Sequence, residues 1–310
     1  MAISLSRLAN EEFVAPGRSG CPGCPAVMGA RLAMKVLGKD TIMVNATGCM
    51  VANYGYCGAP LFPFIHSLFE NAGALASGVE SGLRALGKPD VNVVVYAGDG
   101  GTVDIGLQAL SGAVERGHRL VYICYDNEGY MNTGVQRSGS TPPWASTTTM
   151  PEGRRDWQKG SIYAARKDMV RIMAAHDIPY AATASVGYPQ DYVRKVEKAA
   201  NADGPAYIHL LTPCIVGWGF PEAMGPKLAR LAVDTLAFPL YEVEDGHRYR
   251  ITVRPSRPKP VAEYLGLQSR FRQLGDDDGI IEIIEKQLKR RWAHLQDLAA
   301  LAGPGKEPGE

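Results

Sequence analysis

An aspartate and an asparagine follow two neighbouring predicted strands in the first half of the chain. Gly98-Asp99-Gly100 comes after an apolar, β-branched run at residues 91–96, and Asp126-Asn127 comes after a second apolar run at residues 120–125. A helical pattern at residues 104–116 lies between them, so the segment predicts one strand–helix–strand unit. Parallel strands of such a unit end at the same edge of a sheet, where open α/β sheets bind ligands. Carboxylate, amide and backbone oxygens gathered there suit Mg²⁺ and a diphosphate, and the flanking glycines let phosphate oxygens approach the backbone.

The context of the Gly-Asp-Gly sequence matters more than the sequence itself. Alone, these three residues are typical of a common turn. The strand before them, the helix after them and the Asp126-Asn127 pair at the end of the second strand favour a ligand site.

Four of the six cysteines stand beside glycine or proline in predicted turns. They are Cys21 and Cys24 of a C-x-x-C pair, Cys49 and Cys214. Four thiolates could hold either a tetrahedral zinc ion or a [4Fe–4S] cluster, and the spacing does not separate the two. A structural disulfide is disfavoured in a reducing cytoplasm. A thioredoxin-like redox pair is a weaker alternative, because Cys21 lies in an N-terminal arm and not at the end of a strand.

The other two cysteines carry less chemistry. Cys124 lies in the middle of a predicted strand, which favours a buried core thiol. Cys57 lies in a glycine-rich loop and could be an extra ligand, a residue near the active site or an inert thiol. We interpret it as inert or as supporting the ligands.

Alternating strand and helix patterns predict an α/β fold with a doubly wound, mostly parallel sheet. The predicted strands are residues 41–45, 91–96, 120–125, 180–184 and 206–211, and the predicted helices are residues 26–37, 67–86, 104–116, 167–176 and 190–200. A long loop at residues 128–165 interrupts the alternation and is expected to be functional. Residues 240–253 predict a hairpin around Asp245-Gly246, and residues 280–301 predict an amphipathic helix. We divide the chain into a binding domain at residues 1–220 and an extension at residues 221–310 for subunit contact.

The composition of the chain argues against several classes of partner. The 310 residues carry a formal net charge of +1, which gives no indication of binding to nucleic acid or to an anionic membrane. There is no apolar run long enough for a transmembrane helix and no signal-like N-terminus. The expected location is the cytoplasm.

Several ordered motifs together carry a resemblance to a known family. They are CPGC at residues 21–24, NATGC at 45–49, HSLFEN at 66–71, GDGGT at 98–102, DIGLQALSGA at 104–113, YDNEGYMNTG at 125–134 and TPCIVGWGF at 212–220. Over residues 15 to 250 the chain resembles the β subunit of a 2-oxoacid:ferredoxin oxidoreductase, in the pyruvate synthase group. These enzymes depend on thiamine diphosphate, and their diphosphate-binding pattern matches the strand–helix–strand unit described above.

The resemblance implies roles for individual residues. Cys21, Cys24, Cys49 and Cys214 would ligate a [4Fe–4S] cluster. Asp99 and Asn127 would give side-chain oxygens to Mg²⁺, and Gly129 its carbonyl. Asn132 and Thr133 would lie beside the thiazolium and the substrate, with His66, Glu70 and Asn71 in a motif near the cofactor. The remaining positions that the resemblance places at the cofactor are Thr47, Gly48, Gly98, Gly100, Gly101 and Thr102.

The resemblance also implies a reaction and partners. The enzyme would decarboxylate a 2-oxoacid oxidatively, pass electrons through the cluster to ferredoxin or flavodoxin, and transfer the acyl group to coenzyme A. Pyruvate is the default substrate, and oxalate, an aryl-glyoxylate or a branched 2-oxoacid remain open because Pro25, Gly129 and Ile215-Val216 depart from the usual pattern. No second α/β domain for the aminopyrimidine is found in the sequence. We therefore expect α-, γ- and δ-type subunits, or fusions of them, to complete a hetero-oligomer.

Two other functions fit parts of the sequence. A non-redox thiamine-dependent decarboxylase subunit with a structural zinc site would use the same Gly-Asp-Gly to Asn127 span. A binding module would use the C-terminal helix and residues 138–160 to dock partners. Metal content and colour would separate the first alternative from an iron–sulfur enzyme.

Overall fold

The computed structural model describes residues 3–17, 19–55, 58–153, 166–275 and 278–302, and these residues form one eight-stranded sheet covered by helices. The strands are β1 (Thr41–Ala46), β2 (Phe64–Ser67), β3 (Asn92–Gly98), β4 (Val121–Asp126), β5 (Tyr180–Ser185), β6 (Ala206–Leu211), β7 (Leu240–Glu244) and β8 (Arg248–Val253). The helices are α1 (Pro25–Leu37), α2 (Ala72–Ala85), α3 (Leu107–Glu115), α4 (Met169–Ala174), α5 (Pro189–Ala200), α6 (Ile215–Trp218), α7 (Gly225–Asp234), α8 (Val261–Leu265) and α9 (Asp278–Leu301).

The sheet has the order β2-β1-β3-β4-β6-β5-β7-β8. Its first six strands are parallel, β7 pairs antiparallel with β5, and β8 pairs antiparallel with β7. The predicted α/β class with a mostly parallel sheet is confirmed, together with the C-terminal hairpin. The hairpin extends this same sheet, so the segment after residue 220 shares the core of the segment before it.

Alternate residues of the central strands pack into two different layers. In β3, Val94 and Tyr96 belong to the cluster that holds α1 and α5. Val93 and Val95 belong to the cluster that holds α2, α3 and part of α9. This alternation follows from the period of two in a strand and explains why β3 is apolar on both faces.

Two predicted helices differ from the observed ones at their starts. The helix expected from residue 67 begins at Ala72, because residues Phe64–Ser67 form β2 and pair with Met43–Ala46 of β1. The helix expected from residue 104 begins at Leu107 and is preceded by a π-helical turn at Gly100–Asp104. The turn and helix meet tightly there, since a Cβ added to Gly106 would lie 2.1 Å from the Gly101 carbonyl oxygen.

The long C-terminal helix packs on the body through its predicted apolar face. Ile284 and Leu295 are buried, and Ile281, Leu288 and Trp292 pack against the cores. In the described part of the chain no helix is both long and apolar enough to cross a membrane. Predictions for Cys57, for residues 154–165 of the long loop and for the tail at 303–310 fall outside the described residues.

Candidate active site

The carboxyl ends of β1, β3 and β4 open into one cavity of about 260 Å³. Residues from the segments that follow each of these strands line it, as the parallel topology predicts. The lining residues are Thr47, Gly48 and Cys49 after β1, Gly98 to Gly101 at the end of β3, Asn127 and 129–133 after β4, together with Phe69 and Tyr125.

Three groups at the floor of the cavity form a compact set. One terminal atom of the Asn127 side-chain amide lies 2.9 Å from Asp99 Oδ1 and 2.9 Å from the Gly129 carbonyl oxygen. Both of these neighbours are hydrogen-bond acceptors. If that atom is nitrogen, it donates to both acceptors. If it is oxygen, it stands at about the spacing of adjacent Mg²⁺ ligands from each of the other two oxygens, since bonds of about 2.0–2.1 Å at right angles place oxygens about 2.9 Å apart. The donor set therefore fits a bound magnesium ion.

Asp99 is fully buried and sits among other acidic groups. Burial, followed by the charge of Asp126, raises the pKa of Asp99 well above its usual range, and the Ser138 hydroxyl that donates to Asp99 Oδ2 acts in the opposite direction. A divalent cation at this carboxylate would favour its ionised form.

The buried carboxylate next to Asn127 has an imidazole partner. Asp126 Oδ2 lies 2.7 Å from His209 Nε2, and His209 Nδ1 lies 2.7 Å from the Tyr207 hydroxyl. Burial alone would raise the pKa of Asp126, but the charge and hydrogen bond of His209 outweigh it and lower that pKa below its usual value. Asp126 therefore has a partner for its charge, whereas Asp99 faces the cavity.

The glycines after β3 pack closely against residues that line the cavity. A Cβ on Gly100 would lie 2.6 Å from the Tyr130 ring, and one on Gly101 would lie 3.1 Å from the Phe69 carbonyl oxygen. Thr102 lies behind this turn, where its hydroxyl donates to the Gly98 carbonyl oxygen at 2.7 Å. Its side chain is buried and does not line the cavity.

The predicted residues near the substrate divide into two groups. Asn132 and Thr133 line the cavity from its exposed rim. His66 lies one layer away, with Nε2 2.8 Å from the hydroxyl of Thr47, which does line the cavity. Glu70 is exposed and its side chain is not among those that line the cavity.

Of the four predicted cluster ligands, Cys49 lines the cavity, and the other three lie close enough to it to affect its pKa. Burial, then the charges of Cys214 and Cys24, raises the pKa of Cys49 to about 12, and burial raises the pKa of Cys214 to about 11. Cys21 contributes to both shifts, so all four thiols interact. Among the described residues, however, no three His, Cys, Asp or Glu side chains are gathered closely enough for one metal ion.

Comparison with known proteins shows the family of the chain. Residues 46–210 match the family of thiamine pyrophosphate enzymes, C-terminal TPP binding domain. The pyruvate synthase subunit PorB of Methanothermobacter thermautotrophicus is 57% identical over 273 residues, which cover 87% of this chain and 93% of that protein. The ketoisovalerate oxidoreductase subunit VorB of Pyrococcus furiosus is 46% identical over 305 residues, with coverage of 94% and 95%. The chain belongs to the 2-oxoacid:ferredoxin oxidoreductase β-subunit family. It is thus a thiamine-diphosphate-binding subunit of a multi-subunit oxidoreductase.

A solved structure shares the fold of this β subunit. The 2-oxoglutarate:ferredoxin oxidoreductase from Magnetococcus marinus, with 2-oxoglutarate, coenzyme A and succinyl-CoA bound, aligns with a TM-score of 0.56 over 69% of this chain and 72% of that chain. The sequence identity is 23%, so this comparison concerns the arrangement of strands and helices.

Several residues of the β-subunit site were not singled out from the sequence. Phe69, Tyr130 and Met131 lie inside the quoted motifs, so their presence near the cofactor could have been proposed from position alone. Ser138 lies 39 residues from the Asp99 that it contacts, and nothing local in the sequence signals that contact. Tyr125 is a strand residue whose ring stacks on Tyr96, with centroids 5.1 Å apart.

Proposed function

We propose that this β subunit supplies the magnesium and diphosphate half of the active site, and a [4Fe–4S] cluster, to an enzyme that oxidatively decarboxylates pyruvate. The observation that carries the proposal is that Cys49 lines the same cavity as Asp99 and Asn127. A redox group on the thiols would therefore stand next to the cofactor at which carbon chemistry takes place.

The magnesium ion would be held by Asp99 Oδ1, the amide oxygen of Asn127 and the carbonyl oxygen of Gly129. The short distances from the Asn127 amide to the other two groups and the burial of Asp99 support this assignment. Gly98, Gly100 and Gly101 leave the diphosphate room at the end of β3. Thiamine diphosphate supplies a nucleophilic carbon and an electron sink when it is bound.

Residues of the exposed rim would contact the substrate. Asn132 and Thr133 line the cavity on its open side and offer an amide and a hydroxyl to a 2-oxoacid. The Thr133 hydroxyl is oriented by Gln136, because it donates to Gln136 Oε1 at 2.5 Å while Gln136 Nε2 donates to the Thr133 carbonyl oxygen at 2.8 Å. Thr47 and His66 hold the opposite wall through their mutual hydrogen bond.

The cluster would be ligated by Cys21, Cys24, Cys49 and Cys214. The effect of Cys24, Cys214 and Cys21 on the pKa of Cys49 shows that these thiols are near one another, which supports a shared group. The backbone N–H of Gly217 donates to Cys214 Sγ at 3.3 Å, and such donors stabilise ligand thiolates. Electrons would leave the cluster one at a time towards ferredoxin or flavodoxin.

The substrate proposal follows the names of the relatives. Pyruvate is favoured because the relative named for pyruvate synthase is 57% identical, against 46% for the one named for ketoisovalerate. The branched 2-oxoacid is the second candidate, and coenzyme A is the proposed acyl acceptor.

The predicted cytoplasmic location and the predicted domain boundary at residue 220 stay predictions.

A partner subunit would close the cavity and bring the aminopyrimidine site. Two large apolar side chains beside the lining segments are exposed, Leu68 at 65% and Ile105 at 55%. Leu68 precedes the lining residue Phe69, and Ile105 ends the turn that starts at Gly100. Exposed apolar groups next to an open site suit a protein interface.

The test uses the intact complex purified without oxygen. Pyruvate, 3-methyl-2-oxobutanoate, oxalate and phenylglyoxylate are supplied in turn with coenzyme A, and both carbon dioxide release and ferredoxin reduction are followed. Pyruvate should give the highest kcat/KM, with two ferredoxins reduced per carbon dioxide. Carbon dioxide release without reduction of the acceptor would instead support the non-redox decarboxylase.

The ligand assignment has a separate test. Cys49→Ser should lose most of the iron and the visible absorbance of this cluster, whereas Cys124→Ala, a change to a core thiol in β4, should keep both. Equal iron content in the two variants would remove Cys49 from the ligand set.

A further inference from the structure

A buried ion cluster lies directly behind the proposed magnesium ligands. Glu128, the residue between Asn127 and Gly129, is 3% exposed, and its carboxylate accepts from Arg166 Nη1 at 2.5 Å and from Arg270 Nη2 at 2.6 Å. Arg270 belongs to a 3-10 helix at Ser269–Leu274 and is 142 residues away along the chain. The segment after residue 220 therefore reaches the loop that carries two magnesium ligands.

The backbone at Glu128 needs such support. Its φ is +64°, in the left-handed region that non-glycine residues rarely occupy. Its N–H donates to Asp126 Oδ1 at 2.9 Å, and its carbonyl oxygen accepts from the Thr141 hydroxyl at 2.8 Å. Because this unusual turn decides where the Asn127 amide and the Gly129 carbonyl oxygen point, contacts that hold Glu128 also set the spacing of the proposed ligands.

Arg270 makes a second contact to the same loop through Trp218. Its guanidinium lies 3.8 Å from the centre of the Trp218 ring, and Trp218 Nε1 donates to the Asn127 carbonyl oxygen at 2.8 Å. Gln268 fixes the guanidinium in turn, since Arg270 Nε donates to Gln268 Oε1 at 2.9 Å. One arginine thus restrains the residues on both sides of the bond between Asn127 and Glu128.

We infer that Arg270 is a positioning residue of the magnesium site, which acts through Glu128 and Trp218 to hold the Asn127 and Gly129 oxygens at ligand spacing. The inference rests on the proposed magnesium site. It gives the C-terminal segment a part in cofactor binding in addition to any contact with other subunits. Groups that orient metal ligands in this way change metal affinity by about 10–100-fold when they are removed.

The experiment measures cofactor binding and not turnover. The complex is stripped of metal and thiamine diphosphate with a chelator, and thiamine diphosphate binding is titrated by calorimetry at a series of Mg²⁺ concentrations. Arg270→Gln should raise the Mg²⁺ concentration for half-maximal binding about 10–100-fold. Arg270→Lys should recover part of the lost affinity, because it restores a positive charge next to Glu128 but not the planar stacking on Trp218.

A matched control comes from a second buried glutamate at the far edge of the sheet. Glu242 is 1% exposed and is paired with Lys198 and Arg250, so Arg250→Gln also removes one of two cations from a buried carboxylate. It should leave the Mg²⁺ dependence within twofold of the wild type. If Arg270 had only a structural role, Arg270→Gln would lower the melting temperature or the number of binding sites, as we expect for Arg250→Gln. The Mg²⁺ midpoint of the protein that remains folded would then stay unchanged.

The outcomes distinguish failure of the proposed magnesium site from failure of the inference about Arg270. Wild-type binding that does not depend on Mg²⁺ would overturn the proposed magnesium site itself. A Mg²⁺-dependent wild type with an unchanged midpoint in folded Arg270→Gln would overturn only the role of Arg270. If Arg270→Gln does not fold, Trp218→Phe decides, because it keeps a smaller aromatic ring at this position and removes the Nε1–H that reaches Asn127, with the midpoint again read on the folded protein. A raised midpoint supports the inference, and an unchanged one overturns it.

Discussion

Replacing Gly100 by alanine should damage the cofactor cavity through packing alone. A Cβ at this position would lie 2.6, 2.7 and 3.0 Å from three carbons of the Tyr130 ring. Carbon atoms in contact normally lie about 3.5–4.0 Å apart, so the ring must move by roughly 1 Å. Tyr130 is not free to move, because its hydroxyl donates to Asp104 Oδ2 at 2.9 Å and its ring packs on Phe69, with centroids 5.8 Å apart. Overpacking of this kind costs about 1–3 kcal/mol of unfolding free energy.

The assay combines thermal unfolding with cofactor binding. For a chain of this size a loss of 1–3 kcal/mol corresponds to a fall in Tm of roughly 2–6 °C. Thiamine diphosphate binding should weaken as well, because Tyr130 and Gly100 both line the cavity. Gly78→Ala is the control: Gly78 lies in α2 with no atom within 4 Å of its added Cβ, and alanine there should stabilise the helix by about 0.5–1 kcal/mol. If Gly100→Ala matched Gly78→Ala in both Tm and binding, the described packing of the cavity would be wrong.

Three further predictions follow from burial and charge. In the cluster-free protein at pH 8, a pKa of about 12 leaves about one Cys49 thiol in 10,000 ionised, against about one in four for an ordinary cysteine. Iodoacetamide should therefore modify Cys49 at least ~100-fold more slowly than exposed Cys21 in mass-spectrometric time courses, and equal rates would contradict the raised pKa of Cys49. Asp99→Asn should raise the Tm of the cofactor-free protein at neutral pH, since burial raises the folded-state pKa of Asp99 and its ionised form costs stability above the unfolded pKa. The same variant should lose Mg²⁺-dependent thiamine diphosphate binding, and retained binding would exclude Asp99 as a ligand. Leu68→Glu and Ile105→Glu should each weaken association with the partner subunits in size-exclusion chromatography, and unchanged assembly would place the interface elsewhere.

Local patterns in the sequence were sufficient for most of the sheet. The apolar runs around Asp99 and Asn127 predicted two adjacent parallel strands, and the structure brings both side chains to one sheet edge because the topology leaves no other choice. The second helix is rich in glycine, and this allows close packing in the structure, since a Cβ on Gly73 would lie 2.8 Å from the Ala109 backbone of α3. Strand β2 was not predicted, because four residues are too few to show a recognisable alternation of apolar and polar side chains.

The parts of the site that sequence reasoning missed depend on contacts between distant segments. Ser138 reaches Asp99 across 39 residues, and Arg270 reaches Glu128 across 142. No period or spacing signals such pairs, since they arise only when the loop after β4 and the C-terminal segment pack on the same sheet edge. The left-handed backbone at Glu128 is a further case, because its side chain gives no local reason for a positive φ.

The most direct test of the central claim is a rapid-freeze electron paramagnetic resonance experiment on the intact complex, mixed anaerobically with pyruvate in the absence of coenzyme A. If thiamine diphosphate and the cluster of Cys21, Cys24, Cys49 and Cys214 share one cavity, a one-electron-reduced [4Fe–4S] signal should appear on the timescale of decarboxylation, and Cys49→Ser should abolish it. Decarboxylation of pyruvate by a wild-type complex that gives no such signal would contradict the account.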